Sequence, residues 1–215
     1  MNRFYLPVFF LFLIINFSSA QKNNAVIQSF LDKHRQELGL STDDVNNWVV
    51  TDEYKSSKIG FEHVYIRQTY KDIEVYQAVA NFNIKDAAVF SMGNRLEPNI
   101  SARVNTLKPK INPIEAIAKA AIGLNLITKD FPVLLETKNS REFTYSVPDL
   151  SLENIPVKLM FQPMPEGELR LVWDMSIYQH DKKHWWSLRV DAQTGEILDK
   201  VDWVVECNFG KCNHN

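Results

Sequence analysis

The sequence is poor in cysteine, glycine and net charge, and each shortage removes a class of explanation. Its two cysteines, Cys207 and Cys212, both lie in the C-terminal "CNFGKC". In an oxidising compartment a Cys207–Cys212 disulfide is expected, but it closes a small terminal loop and cannot staple the fold. Seven glycines are scattered through 215 residues, with no Gly-rich phosphate loop and no Gly-x-Ser-x-Gly turn. Nothing therefore offers the amide cradle of a nucleotide site or an elbow-mounted nucleophilic serine. With 24 basic against 26 acidic side chains, both signs dispersed, neither nucleic acid nor an anionic membrane is an expected partner. No His-Glu-x-x-His run occurs, so the helix motif that pairs two zinc-binding imidazoles with a general-base Glu is missing.

The one long apolar run is at the start. "MNRFYLPVFFLFLIINFSSA" carries one Arg, an apolar stretch from Phe4 to Ile15 and small residues ending in Ala20. That is the pattern of an export signal, with cleavage expected between Ala20 and Gln21. The run falls short of the ~20 apolar residues a comfortable span takes, so the expected location is secreted or periplasmic.

What remains alternates between two periods. "NAVIQSFLDKHRQELG" puts Val26, Ile27, Phe30, Leu31 and Leu38 on one side of a helix that Gly39 stops. "EHVYIRQTY", "IEVYQAVANFNI" and "VFSMG" then read as strands joined by short turns. Residues 97–110, "EPNISARVNTLKPK", have neither period and two prolines, and read as a linker. A second helix opens with Asn112 as N-cap, Pro113 at the first helical position and Glu115 closing a capping box, with Ile114, Ile117, Ala118 and Ala121 as the expected buried stripe. "TKNSREFTYSVPDLSLEN" reads as a polar excursion. Strands follow at "VKLMF", at "ELRLVWDMSIYQ" with Leu169, Leu171, Trp173, Met175 and Ile177 inward, at "HWWSLRVD", and at "EILDKVDWVV" with Ile197, Val201 and Trp203 expected on one face. The predicted fold is α+β in two small units, residues 21–96 and 111–205, each a helix on an antiparallel sheet, followed by a tail at 206–215.

The chemistry-bearing residues have modest readings. In "RVDAQTGEIL", Asp191 and Gly195 suit a tight hairpin turn, and two carboxylates are too few for a calcium loop. His180 and His184 in "HDKKH" have zinc-helix spacing but fall between strands, where a solvated loop is expected. Asp174, Asp191, Asp199 and Asp202 read as outward strand charges. No catalytic residue, metal site or cofactor is expected. Trp185 and Trp186 must face opposite ways on a strand, and with Trp186 beside Leu188 and Val190, Trp185 is left either for interdomain or partner contact or simply partly exposed.

"HVYIRQTYKDIEVYQAVANFNI" resembles the core of the fungalysin/thermolysin propeptide domain, through Gln68-Thr69 and Ile73-Glu74-Val75. Asp72 stands where that family usually has Gly. "INPIEAIAKAAIGL", "LRLVWDMSIY" and "HWWSLRVDAQTGEILDKVDWV" are similar to the PepSY-like part that follows in prosegments of fungalysin-type zinc metallopeptidases. The resemblance implies a non-enzymatic prodomain that templates folding of such a peptidase and blocks its cleft. With no His-Glu-x-x-His here, three readings stand open: a separate prosegment-like protein, a truncated or split precursor, or a prodomain reused as an inhibitor. An extracellular binding module for an unrelated partner is the alternative function.

Overall fold

The computed structural model describes residues 19–56, 58 and 60–204. Helix α1 spans Ser19–His34 and α2 Thr42–Val45; β1 is Trp48–Lys55, β2 Glu62–Tyr70, β3 Ile73–Lys85 and β4 Ala88–Asn94. Helices α3 (Ile100–Arg103) and α4 (Pro113–Gly123) precede β5 (Val133–Asn139), β6 (Glu142–Ser146), β7 (Ile155–Pro163), β8 (Leu169–Tyr178), β9 (Trp185–Asp191) and β10 (Ile197–Asp202). The fold is α+β. The expected cleavage bond, Ala20–Gln21, lies within α1, whereas Cys207, Cys212 and the 206–215 tail lie outside the described residues.

The ten strands join in one branched sheet, with the path β1-β2-β3-β7-β8-β9-β10. The branch point is β3. Gln77 takes φ +58° and the β2–β3 register shifts between Arg67 and Thr69, which bends the strand. Beyond the bend, Ala80–Lys85 pairs with β4; before it, Glu74 and Val75 pair in parallel with Met160 and Phe161 of β7. Two cores result. Ile27, Leu31, Val45, Val64, Ile66 and Phe82 fill the first. The second holds α4 against β7, β8 and β9, and it also takes in Ile73, Val75 and Ala78 from before the bend. The halves are therefore joined through a shared strand and a continuous sheet rather than lying on separate sheets.

The 97–110 segment, expected as a linker, is stitched into place. Buried Gln68 donates to the carbonyls of Asp44 (2.8 Å) and Glu97 (3.0 Å) and accepts from the Glu97 amide (2.7 Å). The Asp44 carboxylate accepts from the amides of Asn99 and Ile100 at 2.9 and 3.0 Å. Burial pushes Asp44 up, but these amides and Ser41 outweigh it and hold the group below the ordinary carboxylate range. Further on, Asn105 accepts from the Leu171 amide, and Lys110 and Ile111 donate to the Ala192 carbonyl.

Three local expectations are corrected. The capping box of Asn112 and Glu115 is present, but the stripe α4 buries is Ala116, Ile117, Ala120 and Ala121; Ala118 is exposed and Ile114 is 44 % exposed. The small residues face the sheet because they let the helix approach closely. "TKNSREFTYSVPDLSLEN" is not an excursion from the core: it supplies most of the β5–β6 hairpin, and Tyr145, Val147 and Leu150 are buried. In β10 a register shift between Ile197 and Asp199 sends Val201 and Trp203 to the face opposite Ile197, where they are 41 % and 52 % exposed.

Candidate functional site

On the β6–β10 part of the sheet, the face turned away from α4 carries a dense set of charged side chains. Cross-strand register aligns Glu142 of β6 with Lys158 of β7, Lys158 with Asp174 of β8, Asp174 with Arg189 of β9, and Arg189 with Asp199 of β10. The result is a row of alternating charge across five strands, the arrangement in which directly opposed side chains attract. Arg189, on the strand face opposite Leu188 and Val190, is fully buried. Its guanidinium donates to Asp199 Oδ2 and Ser187 Oγ, each at 2.6 Å, and lies 3.7 Å from Asp174 Oδ1.

The first half closes over this row. Because β3 bends at Gln77, the Tyr76 ring lies on the Arg189 guanidinium, 4.3 Å from ring centre to Cζ. Glu74 receives Arg67 at 2.8 Å and Lys158 at 2.5 Å. Burial raises the Glu74 carboxyl, but the two cations more than offset it and the group ends below its usual range. Asp174 is the opposite case. Burial pushes it up to about 6, with Arg189, Arg67 and Lys158 only partly compensating. Tyr76, Arg67, Lys158, Asp174, Ser176 and Trp203 help to line a cleft of about 260 Å³ beside the row.

At one end of the same face is an aromatic group. Trp185, half-buried, stacks on Tyr178 at 4.9 Å and meets Trp203 edge-on at 5.5 Å. Trp186 is on the other face, stacked with His184 and covered by the Lys200 ammonium. His184 bonds Asp202 Oδ2 at 2.6 Å, while His180 bonds the Pro148 carbonyl at 2.8 Å, so the two rings are held apart by different partners. At the β9–β10 turn the Asp191 carboxylate accepts from the amides of Gln193 and Thr194, and Gly195 has φ +79°. Asp191 is also fully buried and lies 2.9 Å from Arg170, an ion pair that alternation alone did not reveal. Among the described residues no group of three or more His, Cys, Asp or Glu side chains could hold a metal ion.

This face combines matched charges, a cleft of mixed polar and apolar lining, and half-exposed aromatics. Sequence reading placed Asp174 outward but missed Tyr76, Glu74 and Lys158 as neighbours on this face. The missing information was register across strands, together with the bend at Gln77.

Comparison with known proteins bears on both halves. Residues 46–96 match the Fungalysin/Thermolysin Propeptide Motif. Gln68-Thr69, Ile73 and Val75 fall inside that range, as does the bend that carries Tyr76 over Arg189. Over a much longer stretch that includes the motif, the chain is similar to extracellular metalloproteinase 10 of Coccidioides posadasii, 26 % identical over 90 % of this chain and 31 % of the relative. Extracellular metalloproteinase mep of Aspergillus fumigatus is 27 % identical over 85 % of this chain and 29 % of its own length. For NpIII of Aspergillus oryzae the identity is 31 %, over 70 % and 24 %. The chain thus spans less than a third of the length of these relatives, and the matched part is their N-terminal region. The C-terminal domain of Bacillus megaterium YpeB aligns over 86 % of this chain and 65 % of its own at 12 % identity and TM-score 0.37, a likeness that carries no argument. No helix among the described residues is long and apolar enough to cross a membrane.

Proposed function

We propose that this chain is an exported prosegment-type protein that binds the catalytic domain of a fungalysin-type zinc metallopeptidase, blocking its cleft, assisting its folding, or both. The observation that carries the reading is that the similarity to extracellular metalloproteinases runs through both halves of the chain, well beyond the 46–96 motif. The face that carries the charged row is in keeping with it: Trp185 and Trp203 offer the rigid aromatic area that protein interfaces favour. The 206–215 tail with Cys207 and Cys212, outside the described residues, is in this reading a further peptidase contact. No catalysis is assigned to the chain itself. The test is to add purified residues 21–215 to a mature fungalysin-type peptidase and follow both inhibition and refolding yield. Micromolar chain should reduce the activity or raise the yield of active enzyme; no effect on either would leave the reading without support and favour an unrelated extracellular partner for the Trp185–Trp203 surface.

A further inference from the structure

The segment between α4 and the tip of β5 is unusually bare. Ile127 is 88 % exposed, Phe131 85 %, Val133 57 %, Leu134 51 % and Leu135 52 %, so five large apolar side chains stand in water within nine residues. Isolated exposed apolar residues are ordinary, but such a concentration marks a surface that is covered in use. The segment is also held in place. The Asp149 carboxylate accepts from Thr128 Oγ1 at 2.6 Å and from the amides of Lys129 and Asp130 at 2.5 and 3.1 Å, pinning the loop between Ile127 and Phe131. Those donors hold the Asp149 carboxyl below its usual range. Strand β5 is exposed along its whole length and pairs only with β6, which leaves its outer edge free among the described strands. A pinned loop ordered before contact loses less conformational freedom on binding, and an open strand edge adds main-chain donors and acceptors.

We infer that Ile127–Leu135 is a second surface on which the metallopeptidase catalytic domain docks, in addition to the Trp185–Trp203 face; this rests on the function proposed above. The occupant is argued from chain length. In the relatives at least two thirds of the polypeptide lies outside the matched region, so a face that is bare here has a further folded body available to cover it there. It is separate from the charged row: β5 contributes nothing to that row, and its apolar residues lie beyond β6 at the end of a branch.

The test measures binding of the full chain to the mature catalytic domain of the Aspergillus fumigatus metalloproteinase mep by biolayer interferometry. The variants are Ile127→Ser/Phe131→Ser/Leu134→Ser, Phe131→Ser alone, and the control Phe90→Ser, which alters an exposed aromatic of β4 in the first half. Denaturant midpoints verify folding, and Phe131→Ser, outside any strand, covers the case in which the triple variant disturbs β5. The triple variant should bind at least about thirtyfold more weakly and Phe131→Ser about fivefold, with Phe90→Ser unchanged. If the parent chain binds and the Ile127–Leu134 variants bind within twofold of it, or if Phe90→Ser loses as much, the docking surface is elsewhere while the proposed function stands. A parent chain that neither binds nor inhibits ends the functional reading and this one with it. Sedimentation velocity showing a parent dimer that the triple variant disperses would assign the surface to a second copy and overturn the inference.

Discussion

At Asp174 burial and charge pull in opposite directions, and burial wins. Its folded-state pKa of about 6 against an ordinary 3.8 means that the folded protein prefers the protonated acid. The sign follows: this group's favourable contribution is complete below the unfolded pKa and is lost as pH rises through about 6. A shift of that size corresponds to about 3 kcal/mol. Because 30 % of the side chain remains exposed, solvent reduces the effect to roughly 1–2 kcal/mol. Asp174→Asn, which mimics the neutral acid, is therefore expected to stabilise the chain by that amount at pH 7.5, with the gain shrinking as pH falls towards 5. Urea midpoints across this range measure it; a variant less stable than the parent at pH 7.5 would mean that the attraction to Arg189 outweighs the burial cost. The outward position of Asp174 was legible in the Leu169–Ile177 alternation. The cost of its position was not, since that depends on Tyr76 and Arg67 arriving from the other half.

Turns and strand edges show how local chemistry and register divide the work within elements. The β9–β10 turn follows from its own residues: Asp191 satisfies two amides, and Gly195 holds a left-handed φ of +79°. A Cβ at 195 would also approach Lys119 Cγ to 2.7 Å, although that flexible side chain can move aside. Gly195→Val should then cost about 1–3 kcal/mol, mostly from backbone strain. Gly195→Asn should cost less, because Asn tolerates this conformation. Equal denaturant midpoints for all three chains would show that the turn makes no demand for glycine. The β5–β6 hairpin was hidden because its polar and apolar residues do not alternate cleanly, and β5 is exposed on both faces. Likewise a one-residue slip in β10 inverts the faces after Ile197, which strict alternation cannot anticipate.

For the whole molecule the sharing of β3 has an energetic consequence. Ile73, Val75 and Ala78 lie in the second core, and Tyr70 packs against it. Residues 97–204 expressed alone would therefore open a hole beside Phe161 and uncover Arg189. Loss of buried aliphatics on this scale costs about 2–5 kcal/mol for each large side chain, so the fragment should unfold at much lower urea than the full chain, and residues 21–96 supplied in trans should restore part of the loss. A fragment whose midpoint equals that of the second half within the full chain would show two independent units instead. The sequence by itself determined the α+β class, the α1 apolar stripe, the capped start of α4, the inward residues of β8 and the turn at Asp191–Gly195, because helix period, cap chemistry and positive-φ turns are properties of neighbouring residues. Only the tertiary structure decided the branched sheet, the alternating row from Glu142 to Asp199, the burial of Arg189 beneath Tyr76 and the bareness of Ile127–Leu135. Each depends on which strand lies beside which and in what register, and alternation within one strand carries no information about its neighbour.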